Sequence, residues 1–238
     1  MSGSYLEVDL PFSGQRFFAG WRIGLWALVA LGLLFASSAL PQQMQLVSPR
    51  VLAQMNARFG PEAVVRLRDW QVFVGQQTSA DLPQQLQAVN RFLNRVPFVG
   101  DAAHWGAEDY WATPAEFIAS HGGDCEDFAI AKLVTLQLTR IPGAQLRLMY
   151  VNALELNQAH MVLLYTPQPG AVPLVLDNLT NAVVSADLRK DLQPVYSFNS
   201  DGLWLQPLST NPRKVRNFSG SMLWEDLRRR LRAQGLNI

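Results

Sequence analysis

A thiol, an imidazole and a carboxylate follow one another along the chain at Cys125, His160 and Asp177. Cys125 is the single cysteine of 238 residues. A lone cysteine is often an inert core thiol, but the local sequence argues for something else. Gly122-Gly123 allows a tight turn, and Asp124 is a candidate N-cap for the helix that follows. Cys125 then falls in the first helical turn. Unpaired N–H groups and the helix dipole there favour the thiolate, the nucleophilic form of the side chain.

His160 and Asp177 lie in two segments that read as strands, 159–165 and 174–178, separated by a turn rich in proline and glycine. In a simple antiparallel pair closed near Gln168-Pro169, residues whose numbers sum to about 337 face each other, which sets His160 opposite Asp177. A carboxylate beside an imidazole fixes its tautomer and supports the imidazolium, as a Cys-His-Asp triad requires. The alternative is a structural His–Asp pair at a strand end. A one-residue slip of register would turn the partners to opposite faces.

Asp124, Glu126 and Asp127 flank the cysteine. Three carboxylates beside a thiol raise its pKa and work against the thiolate. Helix capping accounts for one or two of them. Hard oxygen donors at this density also suit Ca²⁺, completed by backbone carbonyls and water, and a bound cation would cancel the repulsion. No EF-hand loop is present.

Composition narrows the remaining classes. The sequence is 49% hydrophobic and 16% charged with a net charge of +1, which gives ample core and no overall field for nucleic acid. The basic run Arg228, Arg229, Arg230 and Arg232 reads as a solvated helix end rather than a nucleic-acid patch. One cysteine excludes an intramolecular disulfide and a cysteine-rich zinc site. The three histidines, His104, His121 and His160, form no HExxH pattern.

Several elements must position these groups. Ser48-Pro49 opens a helix that stops at Gly60-Pro61; a second is expected over 62–74 and a third from Asp81. A loop over 97–111 follows, then Thr113-Pro-Ala-Glu116 as a capping box. The helix carrying Cys125 is apolar nearly all round over 128–138, the pattern of a helix buried in a domain centre. Beyond Pro142-Gly143 the period changes to two, with strands near 146–150, 159–165, 174–178 and 195–205, and a last helix covers 222–233. Helices first and strands afterwards define an α+β domain. At the N-terminus, Arg16 and Arg22 precede an apolar stretch, 23–36, and the small-residue motif Ser37-x-Ala39. That stretch is shorter than the roughly 20 residues of a membrane span and matches a signal-peptide core, with an uncleaved anchor as the alternative. The expected organisation is an export leader over 1–39 and one catalytic domain over 40–238.

Four segments together, Tyr110-Trp-Ala-Thr-Pro-Ala-Glu-Phe117, Gly122-Gly-Asp-Cys-Glu-Asp-Phe128, Ala159-His-Met-Val162 and Leu176-Asp-Asn178, resemble the bacterial transglutaminase-like cysteine proteases. The resemblance implies a papain-like or transglutaminase-like fold, with the nucleophile on a central helix packed on an antiparallel sheet. It implies Cys125 as nucleophile, His160 as general base and acid, Asp177 as orienting residue, and Asp124, Glu126 and Asp127 as Ca²⁺ ligands. It further implies a periplasmic endopeptidase that cuts a large surface adhesin near its N-terminus, at paired alanines, and so releases cells from a biofilm. An inner-membrane receptor that senses cyclic di-GMP would hold the protease in check. Two other readings use the same residues: a transglutaminase-type acyl transferase, and a non-catalytic calcium-binding adhesin module. Trp105 and Trp111 are candidates for gripping adhesin or receptor, with core packing as the alternative.

Overall fold

Local capping decides where the helices begin. The structure, a computed structural model, describes Met1 and residues 46–205, 213–216 and 221–236. The chain divides into two compact units, Met1–Gln43 and Met44–Ile238, and the elements described below belong to the second. The apolar stretch and small-residue motif of the expected leader lie outside the described residues. No described helix is long and apolar enough to cross a membrane.

Helix α1 (Pro49–Phe59) starts where Ser48 Oγ accepts from the Val51 N–H. It stops at Gly60, whose φ of 81° is a conformation that side-chain-bearing residues rarely adopt. Pro61 restarts the chain as α2 (Pro61–Gln77), one turn longer than the sequence indicates. Asp81 caps α3 (Leu82–Leu93), accepting from the Gln84 N–H at 2.9 Å. Inside the expected loop over 97–111 lies one helical turn, α4 (Asp101–His104). The capping box forms in full at the start of α5 (Pro114–Ser120), between Thr113 and Glu116. Helix α6 (Cys125–Leu138) follows directly, and α7 (Met222–Ala233) closes the fold.

The strands form one antiparallel sheet in the order β4-β3-β2-β1-β5-β6-β7. They are β1 (Leu146–Ala153), β2 (Gln158–Tyr165), β3 (Leu174–Leu176), β4 (Val184–Ser185), β5 (Leu192–Asn199), β6 (Gly202–Leu205) and β7 (Arg213–Arg216). The short edge strands β4 and β7 carry no alternating pattern long enough to read from sequence. Helix α6 packs on β2 and β1 and is covered on its other side by α3 and α5, so ten of its fourteen residues are buried. That sandwich explains its lack of a polar face. Trp70 Nε1 donates to Thr135 Oγ1 at 3.1 Å and ties α2 to α6. Along β2, Met161, Leu163 and Tyr165 join the core shared with α6, while Val162 and Leu164 join a smaller cluster with Val151 and Val175. His160 pairs with Val151 and takes the parity of Val162.

The C-terminal arginines divide their roles. Arg228 and Arg229 form ion pairs with Glu225 and Asp226 on the helix surface. Arg230 turns inward instead. It donates to Glu116 Oε2 at 2.6 Å, to the Tyr110 hydroxyl at 3.0 Å and to the Trp111 carbonyl at 2.5 Å. Reading the whole run as solvated was therefore too broad, because position 230 neighbours the buried Leu227 and Leu231 on the helix face. Removing the guanidinium leaves buried Glu116 with the Tyr110 hydroxyl and the Thr113 N–H as donors and with the largely exposed Arg58 at 3.3 Å as its one remaining cationic partner among the described residues. We expect Arg230→Met to lower unfolding free energy by roughly 3 kcal/mol in urea titrations.

Candidate active site

The turn 122–127 delivers Cys125 to the sheet. His121 adopts the left-handed conformation (φ 60°) and ends α5. Gly123 then passes so close that a Cβ there would lie 2.5 Å from Asp127 Oδ2 and 2.7 Å from Phe117 Cδ2. The backbone of Gly123 is fixed from outside as well, since its carbonyl accepts from the Val99 N–H at 2.9 Å. The first i to i−4 bond of α6 runs from the Phe128 N–H to the Asp124 carbonyl. The Cys125, Glu126 and Asp127 N–H groups precede it and point out of the helix start. Asp124 occupies the N-cap position, as expected, but its side chain makes no cap hydrogen bond.

His160 and Asp177 meet as expected, by a different register. Leu163 faces Leu176 and Tyr165 faces Leu174, a shift of two from the simple hairpin. An even shift preserves the face, so Asp177, just past the end of β3, reaches His160 on the diagonal. Asp177 Oδ1 accepts from His160 Nε2 at 2.8 Å and from the Leu179 N–H at 3.0 Å. Its Oδ2 accepts from Arg189 Nη2 at 2.6 Å, and Arg189 is gripped in turn by Asp191. Burial works to raise Asp177, but His160, the Leu179 N–H and Arg189 hold it down at about 2. With Nε2 committed to Asp177, Nδ1 is the nitrogen left for proton exchange.

Cys125 and His160 meet β2 at adjacent residues, for the Cys125 thiol lies against the backbone of Met161. The thiol does not hydrogen-bond His160: it donates to Glu126 Oε2 at 2.7 Å. Burial raises the thiol pKa, and the charges of Glu126 and Asp124 raise it further. The acidic flank thus opposes thiolate formation, as its sequence indicates.

The acids form a cluster larger than the three flanking residues. The 97–111 loop brings Asp101 to it, and the ligand oxygens of Asp101, Asp124 and Asp127 lie within 4.8 Å of one another. Asp127 is braced by protein donors at both oxygens, from the Ala112 N–H at 2.7 Å and from Trp105 Nε1 at 3.2 Å. Asp124 Oδ1 and Asp101 Oδ1 are buried without a hydrogen-bond partner. Orphaned carboxylate oxygens facing one another, with no cationic side chain paired to them among the described residues, are donors that fit a hard divalent cation. Trp111, offered by the sequence as a recognition residue, is buried, and Trp105 is the partner of Asp127.

Burial, then the neighbouring carboxylates, pushes Asp124 up to about 9; burial pushes Asp127 up to about 8. Between the ordinary carboxylate value near 4 and these values, the folded chain keeps protons that the unfolded chain has released. Metal-free protein therefore loses stability as pH rises through that window. Lys132, 1% exposed on α6, is lowered by burial to about 7 and acts in the opposite direction only above that pH. Asp177 contributes its stability above pH 4 and loses it only as pH falls toward 2. We expect the melting temperature in EGTA to fall between pH 5 and 7, read by calorimetry.

Residues 68–190 match the model of the bacterial transglutaminase-like cysteine proteinases (BTLCP), and the chain belongs to this family. Its fold is the transglutaminase-like cysteine protease fold. Among solved structures it is similar to calcium-bound LapG of Legionella pneumophila, at 36% identity and a TM-score of 0.66 over 78% of this chain and 99% of that one. The EGTA-treated form of the same protein is similar at 37% identity and a TM-score of 0.65, over 76% and 96% of the two chains. No curated protein matches the sequence.

Proposed function

We propose that the chain is a calcium-dependent cysteine endopeptidase that uses Cys125, His160 and Asp177. The observation that carries this reading is the buried His160–Asp177 pair, bonded at 2.8 Å, one residue along β2 from the backbone against which the thiol rests. Cys125 attacks the scissile carbonyl and forms a thioester. His160, holding the thiol proton, delivers it to the leaving amine, then takes a proton from the water that releases the acyl group. The Cys125 N–H at the helix start is one donor for the oxyanion.

Asp124 and Glu126 would hold Ca²⁺, with Asp127 bracing the turn. When bound, the ion supplies positive charge that offsets the carboxylates around the thiol. The likeness to a calcium-bound LapG structure and the orphaned Asp124 oxygen support this assignment.

Arg189 is a positioning residue in this scheme. It fills the second oxygen of Asp177 and fixes the carboxylate plane against His160. Arg189→Met should lower kcat about 10- to 100-fold with KM unchanged, the kinetic equivalent of one charge-assisted hydrogen bond. Arg189→Lys should recover part of that loss.

The substrate we propose is the N-terminal region of a large surface adhesin, cut at paired alanines in the periplasm to release cells from a biofilm. The partner that restrains it is the periplasmic domain of a cyclic di-GMP-sensing inner-membrane receptor. Family membership and the likeness to LapG support both assignments. The test is incubation with the N-terminal region of a large adhesin from the same genome, followed by fragment sequencing. Two fragments separated at one site are expected with Ca²⁺. An intact adhesin with active enzyme would refute the substrate, and an amine adduct in place of a free acid would mark an acyl transferase.

A further inference from the structure

We propose that Asp101 is a ligand of the cation at the nucleophile's turn, so that one ion clips the 97–111 loop to the 122–127 turn. The inference rests on the calcium reading above and adds to it a ligand from a second, distant segment. Asp101 is 7% exposed, and the two oxygens of its carboxylate have different fates. Oδ2 accepts from the Tyr110 N–H at 2.5 Å, which closes the loop on itself. Oδ1 is buried with no hydrogen-bond partner, as is Asp124 Oδ1, and both side chains belong to the cluster whose ligand oxygens lie within 4.8 Å. Among the described residues no lysine or arginine forms an ion pair with Asp101, Asp124 or Asp127. Buried carboxyl groups brought together without a cationic side chain hold protons when alone and are favourable as ionised ligands around a hard cation.

The clip has a structural consequence. Protein bonds already join loop and turn at Val99–Gly123, Ala112–Asp127 and Trp105–Asp127. None of them engages Asp101, the residue from which the helical turn α4 and the stretch to Tyr110 depart. An ion shared with Asp101 fixes that stretch beside Cys125, so calcium orders a loop as well as adjusting charge.

The test uses the purified chain stripped of metal and titrated with Tb³⁺, with Ca²⁺ as competitor. Trp105, bonded to Asp127, is a built-in antenna for Tb³⁺ luminescence. Asp101→Asn keeps an acceptor for the Tyr110 N–H. It should raise the Kd for Ca²⁺ at least tenfold, as Asp124→Asn does, while Asp69→Asn on the exposed face of α2 should not change it. The melting temperature of Asp101→Asn in EGTA, expected to be no lower than that of the parent, separates lost binding from lost folding. In the parent protein, independently of any variant, Ca²⁺ should slow hydrogen exchange across 98–111 together with 122–127. An unchanged Kd in Asp101→Asn, or slowing confined to 122–127, would overturn the proposal and leave the calcium reading standing. No displacement of Tb³⁺ by Ca²⁺ in the parent protein would overturn the calcium reading itself.

Discussion

Cys125→Ala and His160→Ala should each abolish peptide cleavage, by a factor on the order of 10⁴ to 10⁶, and leave the chain folded. Loss of the thiol removes the only cysteine nucleophile in the sequence. Loss of the imidazole removes both proton transfers, since Asp177 is held ionised down to about 2 and has no proton to give near neutrality. Cys125→Ala removes one partly exposed sulfur at the helix start, whereas His160→Ala removes a buried imidazole and costs some stability without unfolding the chain. His160→Ala does strand the Asp177 carboxylate beside Arg189, which still neutralises it. Circular dichroism should therefore stay close to that of the parent protein in both variants, with a lowered melting temperature only in His160→Ala, while turnover disappears. Retention of full turnover by pure Cys125→Ala protein would refute the assignment.

Chelation should have the second largest effect. The thiol donates to Glu126 at 2.7 Å, and burial and the Glu126 charge raise its pKa, so in metal-free protein it stays protonated and bonded to Glu126 rather than to His160. A cation that draws Glu126 and Asp124 to itself removes both obstacles. Alkylation of Cys125 by iodoacetamide at pH 7 should slow at least tenfold in EGTA and recover with excess Ca²⁺, because only the thiolate reacts. Proteolysis should follow the same dependence. The fall of melting temperature between pH 5 and 7 should vanish with Ca²⁺, which keeps the carboxylates ionised in the folded state. Equal alkylation rates in EGTA and Ca²⁺ would reduce the acidic flank to helix-end electrostatics.

What the sequence reveals follows the range of the interactions involved. Helix starts at Pro49, Leu82, Pro114 and Met222 depend on a cap within three residues, and the side chains of Ser48, Asp81, Thr113 and Ser221 carry them as local pattern. The buried helix behind Cys125 is legible because an all-apolar surface needs cover on every side. The His160–Asp177 contact was legible only to its face. Its register, Leu163 against Leu176 and Tyr165 against Leu174, lies two residues from that of the simple hairpin, and no residue pattern in the 166–173 connection fixes it. The roles of Arg189, Arg230 and Asp101 are not legible in the sequence because their partners lie on other elements. An arginine whose guanidinium meets Asp177 or Glu116 looks in sequence like any surface arginine. Asp101 gave one faint signal, an acid opening a helical turn in a loop dense with aromatic residues. The acids flanking the cysteine were visible as a group, but their division of labour was not. Asp127 is satisfied by protein donors, whereas Asp124 has an oxygen with none.

In the proposed scheme Cys125 becomes a nucleophile through His160 when the acidic cluster holds its cation. The most direct measurement is the intact mass of the protein after exposure to a peptide carrying a thiol-reactive electrophile, with Ca²⁺ and with EGTA. One adduct at Cys125 in Ca²⁺, greatly reduced both in EGTA and in His160→Ala, is the predicted result. Labelling that is equally fast in all three samples, or absent from all three, would contradict it.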